Sequence, residues 1–277
     1  MPIAHLNDTD LFYTEHGSGI PCLAMHGGLG LDHVHLRAWD VFGDFLHLVY
    51  YDHRHNGRSG RPPLETVTHA QLADDAEALR QHLGLKQVAV FGHSYGGFIA
   101  LEYVLRYPQS VSHLILADTA PAWDYVEKIG QNAISMGATP EVLEALEATP
   151  EDDEAFKNMM KVLAPLYFYR ITPEIQAELD GLVDNTIFCA DVGRHQESLL
   201  ATYNVTPSLS QVTCPTLILV GRHDFICPPS QAQIMHKGIP NSRLVEFENS
   251  GHFPWIEERE KFIQTVRDWF YAVGSAG

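Results

Sequence analysis

Three side chains far apart along the chain have the types that acyl transfer needs. Ser94 stands in Gly92-His93-Ser94-Tyr95-Gly96, directly after the apolar run Val88 to Phe91 and before a helical run, Phe98 to Arg106, ended by Pro108. A serine between such a strand and such a helix occupies a tight turn that projects its hydroxyl, and the flanking glycines serve because the bend leaves no room for Cβ atoms. A hydroxyl is a poor nucleophile until an imidazole can take its proton, and the imidazole needs an acceptor to fix its tautomer. His252, in Ser250-Gly251-His252-Phe253-Pro254, follows the run Leu244 to Phe247 and can supply the imidazole. Asp224, in Gly221-Arg222-His223-Asp224, follows Leu217 to Val220 and can supply the acceptor. Asp118 also ends a strand-like run. Asp224 is preferred because its loop is the next strand end before the histidine loop.

Negative charge that develops on a carbonyl oxygen needs donors already in place. The N–H of Tyr95, at the start of the helix after the serine, is one candidate. Gly28, in His26-Gly27-Gly28-Leu29-Gly30 after the run Cys22 to Met25, is the other, since glycines let the backbone approach a substrate closely. Among the 16 histidines, His33 and His35, and His53 and His55 beside Asp52, invite a metal reading. No single segment offers the dense ligand cluster that zinc requires, so neither a metal nor a cofactor is expected.

The elements that must hold these residues alternate. Short apolar runs without polar alternation, at Cys22 to Met25, Leu46 to Tyr51, Val88 to Phe91, Leu114 to Ala117, Leu217 to Val220 and Leu244 to Phe247, read as strands buried on both faces. The fold class is therefore α/β, with a mostly parallel sheet flanked by helices. One helix spans His69 to Leu83, where Leu72, Ala76, Leu79 and Leu83 recur at helical spacing before Gly84. A second closes the chain with Phe262, Val266, Trp269 and Phe270 on one stripe. Ile3 to Leu6 and Leu11 to Thr14 flank an Asn-Asp-Thr-Asp turn and predict an opening antiparallel hairpin. From about Ala120 to Pro207 the strand rhythm stops. Thr139-Pro140-Glu141, Thr149-Pro150-Glu151 and Thr172-Pro173-Glu174 each predict a helix start, with a capping threonine, proline in the first turn, and glutamate at the positive end of the helix dipole.

Composition bounds what the chain can be. With 277 residues, 45% of them apolar and 19% charged, it has ample material for a core, which excludes disorder, collagen and coiled coil. No run approaches the roughly 20 apolar residues of a membrane span, and the N-terminal segment lacks a signal-peptide layout, so a soluble cytoplasmic protein is expected. The formal charge of -17 disfavours a phosphate backbone or an anionic membrane as partner. Residues 121–207 carry 15 acidic and 5 basic side chains, either as solvated helix faces or as a negative surround for a cationic substrate group. Cys22, Cys189, Cys214 and Cys227 show no metal or redox spacing and read as small buried hydrophobes. Oligomeric state is not legible.

With these residues in view, the chain resembles the α/β-hydrolase superfamily over residues 1–120 and 208–277, with residues 121–207 at the position of that family's helical cap. The resemblance rests on His26-Gly27-Gly28-Leu29-Gly30, Asp52-His53-Arg54-His55-Asn56-Gly57-Arg58-Ser59, Gly92-His93-Ser94-Tyr95-Gly96, Gly221-Arg222-His223-Asp224 and Gly251-His252, and on the serine, aspartate, histidine order. The glycine loop is most similar to those of proline iminopeptidases and acyl-homoserine-lactone-degrading hydrolases. Leu29 stands where iminopeptidases usually have proline, and His93 and Tyr95 where they usually have glycine and tryptophan. Both departures count against the peptidase without touching the triad. His55 replaces a glycine common in the Asp52 loop. Related haloalkane dehalogenases and epoxide hydrolases use an aspartate at the elbow, so serine disfavours both.

The expectation is a serine hydrolase of a small-molecule carboxylic ester or lactone, with N-acyl-homoserine lactones among the substrates considered. A pocket lined by Trp123, Met136, Met159, Met160, Tyr167 and Tyr169, together with Leu166 and Phe168, would select the substrate, although most such residues are expected to pack helices together. The alternatives are a proline iminopeptidase, with Glu197 or Glu174 holding the substrate's ammonium, and a ligand receptor that retains the triad but turns over slowly.

Overall fold

The computed structural model describes residues 2–274. Each of the six apolar runs is a strand: β3 (Ile20–Met25), β4 (Leu46–Tyr51), β5 (Val88–His93), β6 (Val111–Ala117), β7 (Thr216–Gly221) and β8 (Ser242–Phe247), preceded by β1 (Ile3–Leu6) and β2 (Thr9–Gly17). They form one eight-stranded sheet of order β1-β2-β4-β3-β5-β6-β7-β8, antiparallel at β1/β2 and β2/β4 and parallel from there to β8.

The continuous apolar runs follow from burial on both faces. In β5, Val88 and Val90 join a core with helices α1 (His69–His82) and α2 (Tyr95–Arg106), while Ala89 and Phe91 join a second core with Trp39, Phe42 and the closing helix α10 (Arg259–Gly274). In α10 the expected stripe of Phe262, Val266, Trp269 and Phe270 is buried. At the sheet's edge β8 is mostly half-buried, so its apolar run marks an edge strand and not a doubly covered one.

The opening hairpin is tighter than its polar residues imply. Thr9 and Asp10 belong to β2, paired with Leu6 and His5, and the turn is Asn7-Asp8 alone. Both turn residues have positive φ, 47° and 61°, as a two-residue type I′ turn demands. Asp75 of α1 accepts from Asn7 Nδ2 at 2.9 Å and is paired with Arg54 in the loop after β4, while Arg54 also donates to the Asn7 carbonyl and to Thr66. The Arg54–Asp75 pair is almost wholly buried and ties the hairpin turn, the β4 loop and α1 together. Removing one partner of such a pair strands the other charge, so Arg54→Ala should lower the unfolding free energy by about 3–5 kcal/mol in urea titration. A loss below about 1 kcal/mol would mean that the pair behaves as an exposed one.

Between β6 and β7 the chain forms helices α3 (Val126–Ser135), α4 (Pro140–Glu147), α5 (Asp153–Leu163), α6 (Pro173–Asn185) and α7 (Ala190–Leu200). Thr139 and Thr172 cap α4 and α6 as expected, with side chains that accept from Val142 N and Ile175 N. No helix starts at Thr149-Pro150-Glu151. Asp152 caps α5 instead, accepting from Ala155 N at 2.8 Å, because a carboxylate three residues on competes better for the helix's orphan amides. Helices α8 (Pro229–Gly238) and α9 (Pro254–Glu257) complete the chain. Among the described residues no helix is long and apolar enough to cross a membrane.

Candidate active site

Ser94 lies between β5 and α2 with φ 53° and ψ −123°, a conformation that costs free energy for any residue with a Cβ. It persists because the neighbourhood over-determines it. Ser94 N donates to the Ala117 carbonyl at 3.0 Å, and the Ser94 carbonyl accepts from Gly97 N at 2.9 Å and from Thr119 Oγ1 at 2.7 Å. A Cβ at Gly96 would stand 2.0 Å from the Met25 carbonyl oxygen, so the elbow packs backbone on backbone against the end of β3.

His252 and Asp224 meet as the sequence proposes. His252 Nδ1 is 2.7 Å from Asp224 Oδ2, and both residues are buried. The other oxygen, Asp224 Oδ1, accepts from the backbone amides of Ile226 and Cys227 at 3.0 and 2.9 Å, so the carboxylate is fixed from two sides. His252 N donates to the Tyr167 carbonyl at 2.7 Å, and the Tyr167 ring packs on the imidazole. Asp118, the other candidate acid, has no bond to His252; its Oδ1 accepts from Gly221 N at 2.8 Å. Ser94 and His252 line one cavity, with Gly27 and Gly28.

The glycine loop presents a free donor. Gly27 N faces His35 Nε2 at 3.4 Å, Leu29 N donates to Gln196 Oε1 at 2.9 Å, Gly30 N to Asn56 Oδ1 at 2.6 Å, and Leu31 N to the Gly28 carbonyl at 3.2 Å. Gly28 N alone in this stretch has no acceptor among the described residues. Its φ of 64° is the left-handed conformation that suits glycine. Tyr95 N stands at the first position of α2, where a helix has no acceptor of its own. The Tyr95 side chain points away into the core, with its hydroxyl 2.9 Å from His69 Nε2.

The cavity at Ser94 measures about 110 Å³ and is walled chiefly by apolar side chains of the segment between β6 and β7: Met160, Leu179, Leu182, Val183 and Phe188. A second cavity of about 630 Å³ adjoins it across Gly28, Leu31, Met160 and Tyr167. Of the expected pocket residues, Met160 and Tyr167 line both cavities, and Trp123 and Met159 the second. Met136 and Tyr169 line neither. Met136 ends α3 and packs on the core, and Tyr169 is 40% exposed and stacks on His223. Glu197 lines the second cavity, whereas Glu174 lies in the exposed first turn of α6.

His35 and His53 both pack against His26, but the histidines of these segments take separate hydrogen-bond partners. His33 bonds Asp52 at 2.6 Å, His53 bonds the His26 carbonyl at 3.2 Å, and His55 spans the Pro62 carbonyl and Asp191 at 2.8 and 2.9 Å. His55 has φ 64°, which explains why a glycine suits that position, and its ring ties the Asp52 loop to α7. Among the described residues, the grouping with metal-ligand spacing is Asp224, Cys227 and His252. His35, read as a metal hint, and His93, read as an elbow departure, line the cavity instead, their rings meeting at 3.2 Å beside Ser94. Burial, with His252 nearby, holds His35 down at about 3 and His93 well below the usual imidazole range, so both are neutral. The position of His93 beside the nucleophile was the available signal.

A family model described as the alpha/beta hydrolase fold matches residues 25–259. A proline iminopeptidase of Saccharolobus solfataricus is 28% identical, over 95% of this chain and 88% of the relative. The AB hydrolase superfamily protein YclE of Bacillus subtilis is 29% identical, over 96% and 97%. Among solved structures, an esterase from Exiguobacterium antarcticum superposes with a TM-score of 0.78 at 26% identity, over 95% of this chain and 96% of that one.

Proposed function

The chain belongs to the α/β-hydrolase family, and from that premise we propose that it is an esterase or lactonase in which Ser94 is the nucleophile, His252 the general base and Asp224 the acid that orients it. Ser94 Oγ attacks the substrate's carbonyl carbon as His252 Nε2 takes the hydroxyl proton. The oxyanion receives the N–H groups of Gly28 and Tyr95. As the tetrahedral adduct collapses, His252 returns the proton to the leaving alkoxide, which departs as an alcohol or, from a lactone, remains attached as the opened ring. Water activated by the same imidazole then hydrolyses the acyl-enzyme. Helices α3–α7 act in this reading as a cap over the strand ends.

One observation carries the choice of substrate class: among the described residues, the cavity at Ser94 is lined by no carboxylate. An N-terminal proline carries its ammonium next to the scissile carbonyl, and placing that charge among Leu179, Leu182 and Val183 without a partner is costly. An acyl chain meets no such penalty. A cavity of about 110 Å³ is of the order that holds one benzene-sized group, so a short acyl chain fits it and a longer one must extend into the second cavity. The iminopeptidase reading keeps two supports: Glu197 on the second cavity and the proline iminopeptidase relatives.

Parallel turnover of a butyrate ester, an acyl-homoserine lactone and a prolyl anilide separates the readings. The ester or lactone should be cleaved with steady multiple turnover, which also excludes a slow receptor; cleavage of the anilide alone would reverse the assignment. Leu182→Ala should raise kcat/KM for octanoyl over butanoyl esters by about tenfold, as expected from admitting a few more methylenes. An unchanged ratio would mean that the acyl chain lies elsewhere.

A further inference from the structure

Asp118 is a buried carboxyl group whose surroundings suit a neutral acid. It sits at the end of β6 with φ 49°, and Oδ1 accepts from Gly221 N at 2.8 Å. Oδ2 is buried and has no hydrogen-bond partner among the described residues. The charged and titratable groups facing Asp118 are Asp224 and Cys227 from the loop after β7 and Glu257 from α9, and no cation pairs with it among the described residues. An ionised Asp118 would therefore be an uncompensated buried charge beside other acids. A proton on Oδ2 turns the repulsive Asp118–Asp224 pair into a donor and an acceptor.

We propose that Asp118 is a protonated carboxylic acid that donates a hydrogen bond to Asp224, a positioning residue behind the acid that orients His252. It rests on the assignment of Asp224 made above. Burial and then the Asp224 charge hold the Asp118 carboxyl well above the usual range, consistent with this geometry. Asp224 would then be held on three sides: by the amides of Ile226 and Cys227, by His252, and by Asp118.

Asparagine is the isostere of a neutral aspartic acid, and it accepts positive φ readily. In Asp118→Asn the amide oxygen can keep the Gly221 N–H while the NH₂ donates to Asp224. The native chain binds a proton at this site that the unfolded chain releases above its own pKa. Wild-type stability therefore falls as pH rises above that value, and the asparagine variant escapes this loss. The Tm gain of Asp118→Asn over wild type should be near zero at about pH 4 and grow toward about pH 8. Its kcat should stay within about threefold of wild type, while Asp118→Gly, which tolerates the backbone but lacks the donor, should lose about tenfold in kcat with KM unchanged. A Tm difference flat across pH would overturn the neutral acid. Full kcat in Asp118→Gly would overturn the positioning role. The melting comparison needs no activity, so it stands apart from any failure of the esterase reading.

Discussion

Ser94→Ala should reduce kcat on a butyrate ester by roughly a hundred-thousand- to a million-fold while leaving the melting temperature close to that of the parent chain. In the proposed mechanism the hydroxyl is the atom that bonds to the acyl group, and among the described residues the other hydroxyls lining the cavity are those of Thr186 and Tyr167, neither of which stands on a strand-to-helix turn. Alanine carries the same Cβ into the same left-handed backbone, so fold and strain are retained and only the attacking atom is lost. Because the three residues act as one unit, Ser94→Ala combined with His252→Ala should be no slower than either alone. Ester turnover by the purified single variant at the parent rate would remove Ser94 from the mechanism.

Asp224→Asn should cost about 10⁴-fold in kcat through the wrong tautomer. The amides of Ile226 and Cys227 both point at Oδ1, so an asparagine would set its carbonyl oxygen there and turn its NH₂ toward His252 Nδ1. The imidazole would then accept at Nδ1 and carry its proton on Nε2, where the serine's proton must go. The comparison with Asp118→Asn is decisive for the acid's identity: a severe loss there, with a mild one at Asp224, would move the role to the end of β6.

What could be read ahead of the structure divides along a physical line. β4 runs from Leu46 to Tyr51 as its apolar run does, because a strand covered on both faces is apolar at nearly every position, with half-buried His47 as its one polar residue. The elbow was legible because a glycine-flanked serine between strand and helix has few other uses. The turn was read too wide, since Thr9 and Asp10 are polar yet pair with Leu6 and His5 in the edge hairpin, Thr9 facing inward and Asp10 outward. Met136 and Tyr169 were misplaced for a different reason: residue type signals that a side chain packs, but not whether its neighbour is a cavity or another helix. His35 and His93 were noted, but not as cavity residues, because their place beside Ser94 and their neutrality follow from burial, which no local pattern encodes. His55 looked like an unexplained departure until its positive φ and its bond to Asp191 gave it a conformation and a partner.

The ties between α7 and the glycine loop reach beyond stability. Gln196 on α7 holds the amide next to Gly28, and Cys189 N, just ahead of that helix, donates to the Gly30 carbonyl at 2.9 Å. A guest large enough to lever the helix aside would thereby disarm the donors that it came to use. On the proposed mechanism entry and reactivity are coupled, so the expected substrates are small molecules that reach Ser94 past an unmoved α7.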